Sequence, residues 1–300
     1  MIYCVIPVFN RKRLLHGCLL SLKEQTYKDY KVVVVDDGST DGTAEMLKDE
    51  FTDIKVLRGD GNLWWAGAIN KGIDYALSVC DEEDYILVLN DDLIVPPDYF
   101  TNFVSLAATH PDTLIGSVVT DINDRDVIYS GGVRVNWITA KMTHFNRGKR
   151  LSSFGKGYYI EVSYLTGRGV LIPPKVFREI GLYNNKHYLQ QCGDIELPAR
   201  ARLAGYKLIV SYNVPVFSYV KDKGHINHLD TFKLSDTKKY FFDIRSNANV
   251  RYRFWFAYDA TPNLVQGTIY LIFDLLRVTS YFIRHLGFIQ KMTFTFSGNI

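Results

Sequence analysis

The stretch Tyr85-Ile-Leu-Val-Leu-Asn-Asp-Asp92 decides the fold of this chain. Its apolar run is too short for a typical helix and rich enough in branched residues to be a buried strand. The run ends abruptly in an amide and two carboxylates, Asn90, Asp91 and Asp92. Because the carboxyl ends of strands line the ligand crevice of an open parallel sheet, this strand is predicted to carry its acids into a site.

The two adjacent carboxylates repel each other unless a cation lies between or beside them. The simplest such partner is a hard divalent ion with oxygen ligands, Mg²⁺ or Mn²⁺, that itself carries a phosphate group. The alternative is a helix N-cap or a turn, since Asp91 and Asp92 precede Pro96 and Pro97. The stretch alone does not decide between these two interpretations.

Composition sets the class of protein. The chain has 300 residues, of which 47% are hydrophobic and 14% aromatic, which is ample for a globular core. Its net charge of +3 is too small to indicate a nucleic-acid partner. The four cysteines are far apart and form no CxxC pair, and the N-terminus shows no signal-peptide pattern. These features predict reduced core cysteines in a cytoplasmic protein.

Strands and helices alternate along the first half of the chain. Strands are predicted at 2–6, 31–35, 54–57 and 85–89, and helices around 14–22, 43–51 and 68–80. Further on we expect a helix over 97–110, a strand over 113–119 and a long excursion or small antiparallel element over 121–157. Helices are expected again at 174–180 and 191–205. This alternation predicts an α/β fold with a mostly parallel sheet.

The second predicted strand also ends in acids, Asp36 and Asp37. If its strand neighbours the one that ends in Asp91 and Asp92, the two acidic ends form a crevice suited to a nucleotide diphosphate. One acid would accept a hydrogen bond from a base or ribose hydroxyl, and the other would hold the metal. The loop over 61–67 lacks both the G-x-G-x-x-G fingerprint and the P-loop, which disfavours a dinucleotide or ATP site.

The ordered motifs resemble those of the family 2 glycosyltransferases of the GT-A fold, inverting enzymes that use nucleotide-sugars. The resemblance covers roughly residues 3 to 210, in the family's order and spacing. The matching segments are 5–11 (Val-Ile-Pro-Val-Phe-Asn-Arg), 34–42 (Val-Val-Asp-Asp-Gly-Ser-Thr-Asp-Gly), 61–72, 89–92, which looks like the DXD-type metal motif, and 193–197 (Gly-Asp-Ile-Glu-Leu) with Arg200 and Gly205, which looks like the later acidic motif.

The resemblance implies a nucleotide site, a metal site and a catalytic base. The residues it assigns to the nucleotide and its border with the sugar are Pro7, Phe9, Asn10, Arg11, Asp36, Asp37, Asn62, Gly67, Asn70, Asn90 and Asp91. Asp92 and His225 are assigned to the metal, and Trp64 and Trp65 to the donor or acceptor sugar. Asp194 would be the base that takes the proton from the acceptor hydroxyl.

Departures from the family pattern leave alternatives open. Family members usually have Glu before the base, and Gly193 stands there, so Glu196 is a rival catalytic residue. Both acids are also typical of an exposed helix start. His225 and His228 have the alternative of unpartnered surface histidines. The tryptophan pair has the alternative of core packing.

The segment 216–300 is rich in aromatic residues and arginine. Its last apolar stretch is interrupted by Asp274, Arg277 and Arg284, so no uninterrupted run reaches the ~20 residues of a spanning helix. A polar stripe at helical spacing runs from Asn263 to Arg284, which predicts an amphipathic helix with a wide apolar face. That face would either lie on a membrane or pack against the chain itself or a second subunit, with packing slightly favoured.

Together these observations predict a GT-A catalytic domain over 1–215 and a helical extension over 216–300. The predicted enzyme moves a sugar, with a lean to rhamnose, from a dTDP- or UDP-linked donor to a glycan or lipid-linked glycan in cell-surface polysaccharide synthesis. We expect it in the cytoplasm, with peripheral contact at the membrane and homo-oligomerisation both left open. The alternatives are a catalytically impaired glycan- or nucleotide-binding scaffold and, less favoured, a sugar-nucleotide pyrophosphorylase.

Overall fold

A computed structural model of the chain describes residues 1–219 and 232–286. Their strands are β1 (Ile2–Val8), β2 (Tyr30–Asp36), β3 (Lys55–Arg58), β4 (Tyr85–Val88), β5 (Leu93–Ile94), β6 (Thr113–Asp121), β7 (Asp124–Ser130), β8 (Val133–Val135), β9 (Met142–His144), β10 (Tyr159–Glu161), β11 (Val170–Ile172) and β12 (Lys207–Ser218). Their helices are α1 (Lys12–Lys23), α2 (Thr43–Glu50), α3 (Trp64–Val79), α4 (Tyr99–Thr109), α5 (Pro174–Ile180), α6 (Gly193–Leu203), α7 (Thr237–Phe242), α8 (Val250–Asp259) and α9 (Leu264–Arg284).

The first four strands form a parallel unit in the order β3-β2-β1-β4. The chain adds β2 and β3 on one side of β1 and then returns to place β4 on the other side. This reversal of strand order is the switch point at which open α/β sheets bind ligands, outside the carboxyl ends of their strands. The crevice hypothesis required the two acidic strand ends to be immediate neighbours. They are not, because β1 lies between β2 and β4.

The second half of the sheet is mixed. β11 is antiparallel to both β4 and β6, and β12 runs parallel to β6. The small antiparallel element expected over 121–157 is present as β7 against β6 and as the pair β8 and β9. Strand β12 was not predicted, because Asn213 and Pro215 interrupt its apolar pattern at a break in the register between Ser211 and Val216.

Side chains of the central strands alternate between two cores on opposite faces of the sheet. On one face, Cys4 and Ile6 pack with residues of α1, α2 and α4. On the other, Tyr3 and Val5 pack with residues of α3, α5 and α6. The fold is therefore a three-layer α/β arrangement, as predicted, and the four cysteines are free thiols, two of them in the core.

The helices α7, α8 and α9 form a C-terminal region that packs on α6 through Tyr252, Phe256 and Tyr270. The expected amphipathic helix is α9, and the middle of its polar stripe faces inward: Tyr270 and Asp274 are each 1% exposed. The proposed domain boundary at 215 falls inside β12, and the division of the chain into two domains stays a prediction. Within residues 1–219 and 232–286, no helix combines the length and apolarity needed to span a bilayer.

Candidate functional site

The acid pair that follows β4 is bound by Arg11, which follows β1. The Nη1 atom of Arg11 lies 2.7 Å from Oδ1 of Asp91, and its Nη2 atom lies 3.1 Å from Oδ2 of Asp92. β1 and β4 are parallel neighbours, so the residues beyond their carboxyl ends meet. The cation that the two carboxylates require is thus supplied, in this structure, by the chain itself.

One guanidinium does not fully satisfy this pair. Burial raises the pKa of Asp91 to about 7, although the Arg11 guanidinium opposes that shift and Asp92 adds to it. The Oδ1 atom of Asp92 is buried and accepts no hydrogen bond from the described part of the chain. A buried carboxylate oxygen with unused acceptor capacity fits a hard divalent cation.

Two carboxylates do not complete a metal site by themselves. Among the residues that the structure describes, no three His, Cys, Asp or Glu side chains gather in a metal-binding cluster. Mg²⁺ is commonly held by one or two carboxylates together with substrate phosphates, and Asp91 and Asp92 match that protein contribution. The predicted ligand His225, like His228, lies outside the described residues.

The turns after β1 and β2 are tied to each other. The side-chain carbonyl of Asn10 accepts from the backbone N–H of Thr40 (2.7 Å), and the Ser39 hydroxyl accepts from the backbone N–H of Asn10 (2.9 Å). Oδ1 of Asp36 accepts from the Ser39 N–H, while its Oδ2 atom is buried without a partner among the described residues. Phe9 is 50% exposed at the rim, so it is available for stacking against a ring.

Asp37 caps helix α3 across the sheet. Its Oδ1 atom accepts from the N–H of Gly61 (3.0 Å), and its Oδ2 atom accepts from the N–H groups of Leu63 (3.0 Å) and Trp64 (3.1 Å). The first N–H groups of a helix have no partner within the helix, and here the carboxylate that directly follows β2 satisfies those of Leu63 and Trp64. α3 therefore begins at Trp64, four residues before the predicted start at Ala68.

Trp65 joins the acid pair to the later acidic motif. Its indole Nε1 atom donates to the side-chain carbonyl of Asn90 at 2.9 Å. A β-carbon added at Gly167 would lie 2.5 Å from the Cζ2 atom of the same indole and 3.3 Å from Cβ of Asp194. The motifs at 36–37, 90–92 and 194 thus belong to one continuous set of contacts.

The two candidate bases on α6 have different surroundings. Asp194 is partly exposed, accepts from the Gly167 N–H at 3.2 Å, and has its pKa raised by burial. Glu196 is 1% exposed and forms an ion pair with Arg200 at 2.7 Å, and its other oxygen accepts from the Asn184 N–H. Arg200 also donates to the carbonyl of Leu182, so Glu196 holds together the chain between α5 and α6. Of these two acids, Asp194 is therefore the one with partial solvent exposure.

The structure also explains the glycine that precedes Asp194. A β-carbon at Gly193 would lie 3.3 Å from the Tyr188 carbonyl oxygen and 3.6 Å from the Trp65 indole. A Glu side chain at this position would have to share that space with Trp65. The indole therefore lies against the position where relatives are expected to carry Glu.

The remaining predicted residues are placed as follows. Asn70 is buried and exchanges two hydrogen bonds with the backbone of Tyr183, so its amide contributes to the fold. Gly67 is buried in α3 and Pro7 in β1, whereas Asn62 is exposed and Trp64 half-buried. Gly167 was missed as a site residue, although its interruption of the apolar stretch 158–172 marked a close approach of backbone to another group.

Sequence comparison finds a match over residues 3–173 to the family described as Glycosyl transferase family 2. The N-acetylglucosaminyl-diphospho-decaprenol L-rhamnosyltransferase of Mycobacterium tuberculosis is 24% identical over 226 residues, which are 69% of this chain and 71% of that protein. Glycosyltransferase GlyG of Streptococcus pneumoniae is 29% identical over 123 residues. That second match spans 39% of this chain and only 38% of GlyG.

Solved structures share the fold over nearly the whole chain. S. aureus TarS 1-349 in complex with UDP-GlcNAc has a TM-score of 0.60 at 16% identity, over 96% of this chain and 74% of that one. The mannosyltransferase PcManGT from Pyrobaculum calidifontis, in complex with GDP-Man and Mn²⁺, has a TM-score of 0.58 at 16% identity, over 93% and 73%.

Proposed function

This chain belongs to glycosyl transferase family 2 and is a glycosyltransferase, and from that premise we propose that it transfers one sugar, with inversion and with a divalent metal, from a nucleotide-diphosphate donor to a hydroxyl of a glycan or lipid-linked glycan. The observation that carries the proposal is the contact network that runs from Asn90, the residue before Asp91 and Asp92, through Trp65 and Gly167 to Asp194. This network supports a single site that would combine a cation-binding group with a proton acceptor. We place the reaction in cell-surface polysaccharide synthesis.

Asp194 is the proposed general base. The acceptor hydroxyl must lose a proton as its oxygen attacks the anomeric carbon, and a carboxylate with a raised pKa binds that proton more strongly than an ordinary one. The Gly167 N–H holds one oxygen of Asp194 in place. Direct attack from the face opposite the departing diphosphate gives inversion.

Asp91 and Asp92 are the proposed metal-holding residues, with Mg²⁺ or Mn²⁺ as the ion. When bound, the ion would neutralise charge on the departing diphosphate. The presence of Mn²⁺ with GDP-Man in PcManGT supports this part of the proposal. Arg11 adjoins both carboxylates, and its guanidinium would also be able to pair with a phosphate oxygen of the donor.

The proposed donor is dTDP- or UDP-linked. The mycobacterial relative is an N-acetylglucosaminyl-diphospho-decaprenol L-rhamnosyltransferase, and this similarity supports a deoxyhexosyl donor and a lipid-linked acceptor. The fold itself does not choose between donors, because one fold carries many substrate specificities. Contact with a membrane or with a second copy of the chain remains part of the proposal.

The test is a screen of UDP-, dTDP- and GDP-sugars with Mn²⁺, read by both donor hydrolysis and thermal shift. A nucleotide at about 100 times its dissociation constant is expected to stabilise the chain by about 2.7 kcal/mol. Asp92→Asn should remove the metal-dependent part of that shift. Asp49→Asn, an exposed acid on α2, is the matched control and should leave it unchanged.

Two results would contradict the proposal. Nucleotide binding without turnover of any donor would indicate the scaffold. Release of pyrophosphate from a nucleoside triphosphate and a sugar phosphate would indicate the pyrophosphorylase.

A further inference from the structure

Helix α9 presents a continuous apolar face that no described residue covers. Val265, Ile272 and Leu276 are 71%, 53% and 57% exposed, and Ile269 and Ile283 are also exposed. At 100° per residue these five side chains fall within about 60° of one another around the helix axis. With 21 residues, the helix carries this stripe over a length of about 31 Å.

Ion pairs on the opposite side fix the rotation of α9. Asp274 is buried and lies 2.5 Å from both the Arg253 guanidinium of α8 and the Arg277 guanidinium of α9 itself. Rotating the helix about its axis to bury the apolar stripe would expose Tyr270, which lies on the opposite side, and would break the ion pair between Arg253 and Asp274. The outward orientation of the apolar face is therefore a property of the folded chain.

The C-terminal region that carries this face is basic. Residues 232–286 contain eight Lys or Arg and four Asp, and one of those acids, Asp274, is buried between two arginines. Arg277 and Arg284 lie along one edge of the apolar stripe, both exposed. An exposed apolar stripe with cations at its edge is the pattern of helices that lie in the plane of a membrane interface.

We propose that the apolar face of α9 docks on an anionic phospholipid bilayer, with Arg277 and Arg284 against the headgroups. Charge favours this occupant over a second copy of the chain, because a two-fold symmetric pairing through α9 would bring two basic regions together. An anionic surface instead attracts each nearby Lys or Arg. The helix lies on the bilayer and does not cross it. This inference does not depend on the sugar-transfer reaction.

The experiment is flotation of the full chain with two kinds of vesicle, without donor or acceptor. One kind is phosphatidylcholine alone, and the other contains about 30% phosphatidylglycerol. We expect binding to the anionic vesicles, weaker at high salt, and little binding to the neutral ones. The double substitution Ile272→Gln with Leu276→Gln should lower the partition coefficient at least about tenfold, since both side chains lose their apolar contact with lipid. Arg284→Gln should weaken anionic binding alone.

The matched control is Thr268→Gln with Thr279→Gln, two exposed positions at the other edge of the same helix, and it should bind as the unaltered chain does. Melting curves for each variant verify that the fold is kept. Equal vesicle binding by the apolar variant and the control would overturn the proposal. The proposal would also be overturned if the unaltered chain were a dimer and the apolar variant a monomer. A chain that binds vesicles only after removal of residues 287–300 would overturn it as well.

Discussion

Asp194 and Glu196 lie in the first turn of α6, yet their environments prepare them for different tasks. Glu196 is buried with both oxygens engaged, one by Arg200 and the other by the Asn184 N–H. Asp194 keeps partial exposure and one backbone partner, the N–H of Gly167. A carboxylate that must receive a proton needs access to its substrate, and the partial exposure of Asp194 is the reason we propose it over Glu196.

We expect Asp194→Asn to lower kcat by ~10² to 10⁴ while donor binding is retained, because the amide cannot accept the proton. Glu196→Gln should instead lower the free energy of unfolding by up to about 3 kcal/mol. This is the low end of the range for breaking a buried ion pair, because Arg200 keeps some solvent contact. Steady-state kinetics and urea unfolding of both variants provide the comparison. A larger loss of kcat in the Glu196 variant, at equal stability, would reverse the assignment.

The pH profile of kcat/KM should show the protonation of Asp194 as a loss of activity at low pH. Burial raises the pKa of this carboxyl, and the base works only when deprotonated, so activity should fall as the pH drops through that raised pKa. The acid limb is expected clearly above the ordinary Asp value of about 3.9. Its absence down to pH 4, in an enzyme that remains folded, would exclude Asp194 as the base.

At the scale of elements, the start of α3 is set by another element. Leu63, the residue that precedes the helix, provides no side-chain cap. Asp37 at the end of β2 takes that role, and it also binds the Gly61 N–H in the preceding loop. The acid therefore orders the loop that leads into Trp64 and Trp65 at the site.

Asp37→Ala should lower the free energy of unfolding by at least about 2 kcal/mol, the upper value for loss of a helix cap, because three N–H groups lose their acceptor together. The nucleotide-induced thermal shift should fall as well, since the loop is no longer held. Asp60→Ala is the control, because it removes only the local hydrogen bond to the Asn62 N–H. Equal melting curves for the two variants would refute the capping role.

At the scale of the whole molecule, the C-terminal region is attached to the catalytic layer. α8 packs on α6, and the His187 ring, in the segment before α6, stacks on Trp255 of α8 at 3.6 Å. The Arg253 and Asp274 pair then joins α8 to α9. Helix α6, which carries Asp194, and the exposed face of α9 are thereby parts of one packed assembly.

Asp274→Asn should lower the free energy of unfolding by about 3–5 kcal/mol, because it leaves the Arg253 charge buried without its partner. Asp124→Asn removes an exposed pair with Arg150 and should cost no more than about 1 kcal/mol. Denaturant unfolding monitored by tryptophan fluorescence measures both. A second transition at low denaturant in the Asp274 variant would show that the C-terminal region detaches first.

The sequence was sufficient for the parts that depend on local patterns. Apolar runs that end in acids predicted β2 and β4, helical spacing predicted the main helices, and the ordered motifs identified the α/β GT-A fold and the glycosyltransferase family. These succeed because strand and helix periodicities, and the residues that follow a strand, are encoded over a few neighbouring positions.

Only the tertiary structure decided which groups share a partner. The sequence assigned a cation to Asp91 and Asp92 and a wide apolar face to α9. The fold places Arg11 beside the two acids and turns Asp274, from the polar stripe of α9, inward onto Arg253. Each of these contacts joins residues at least 21 positions apart, as between Arg253 and Asp274. Their energies depend on burial and distance in space, and a linear pattern of residues specifies neither.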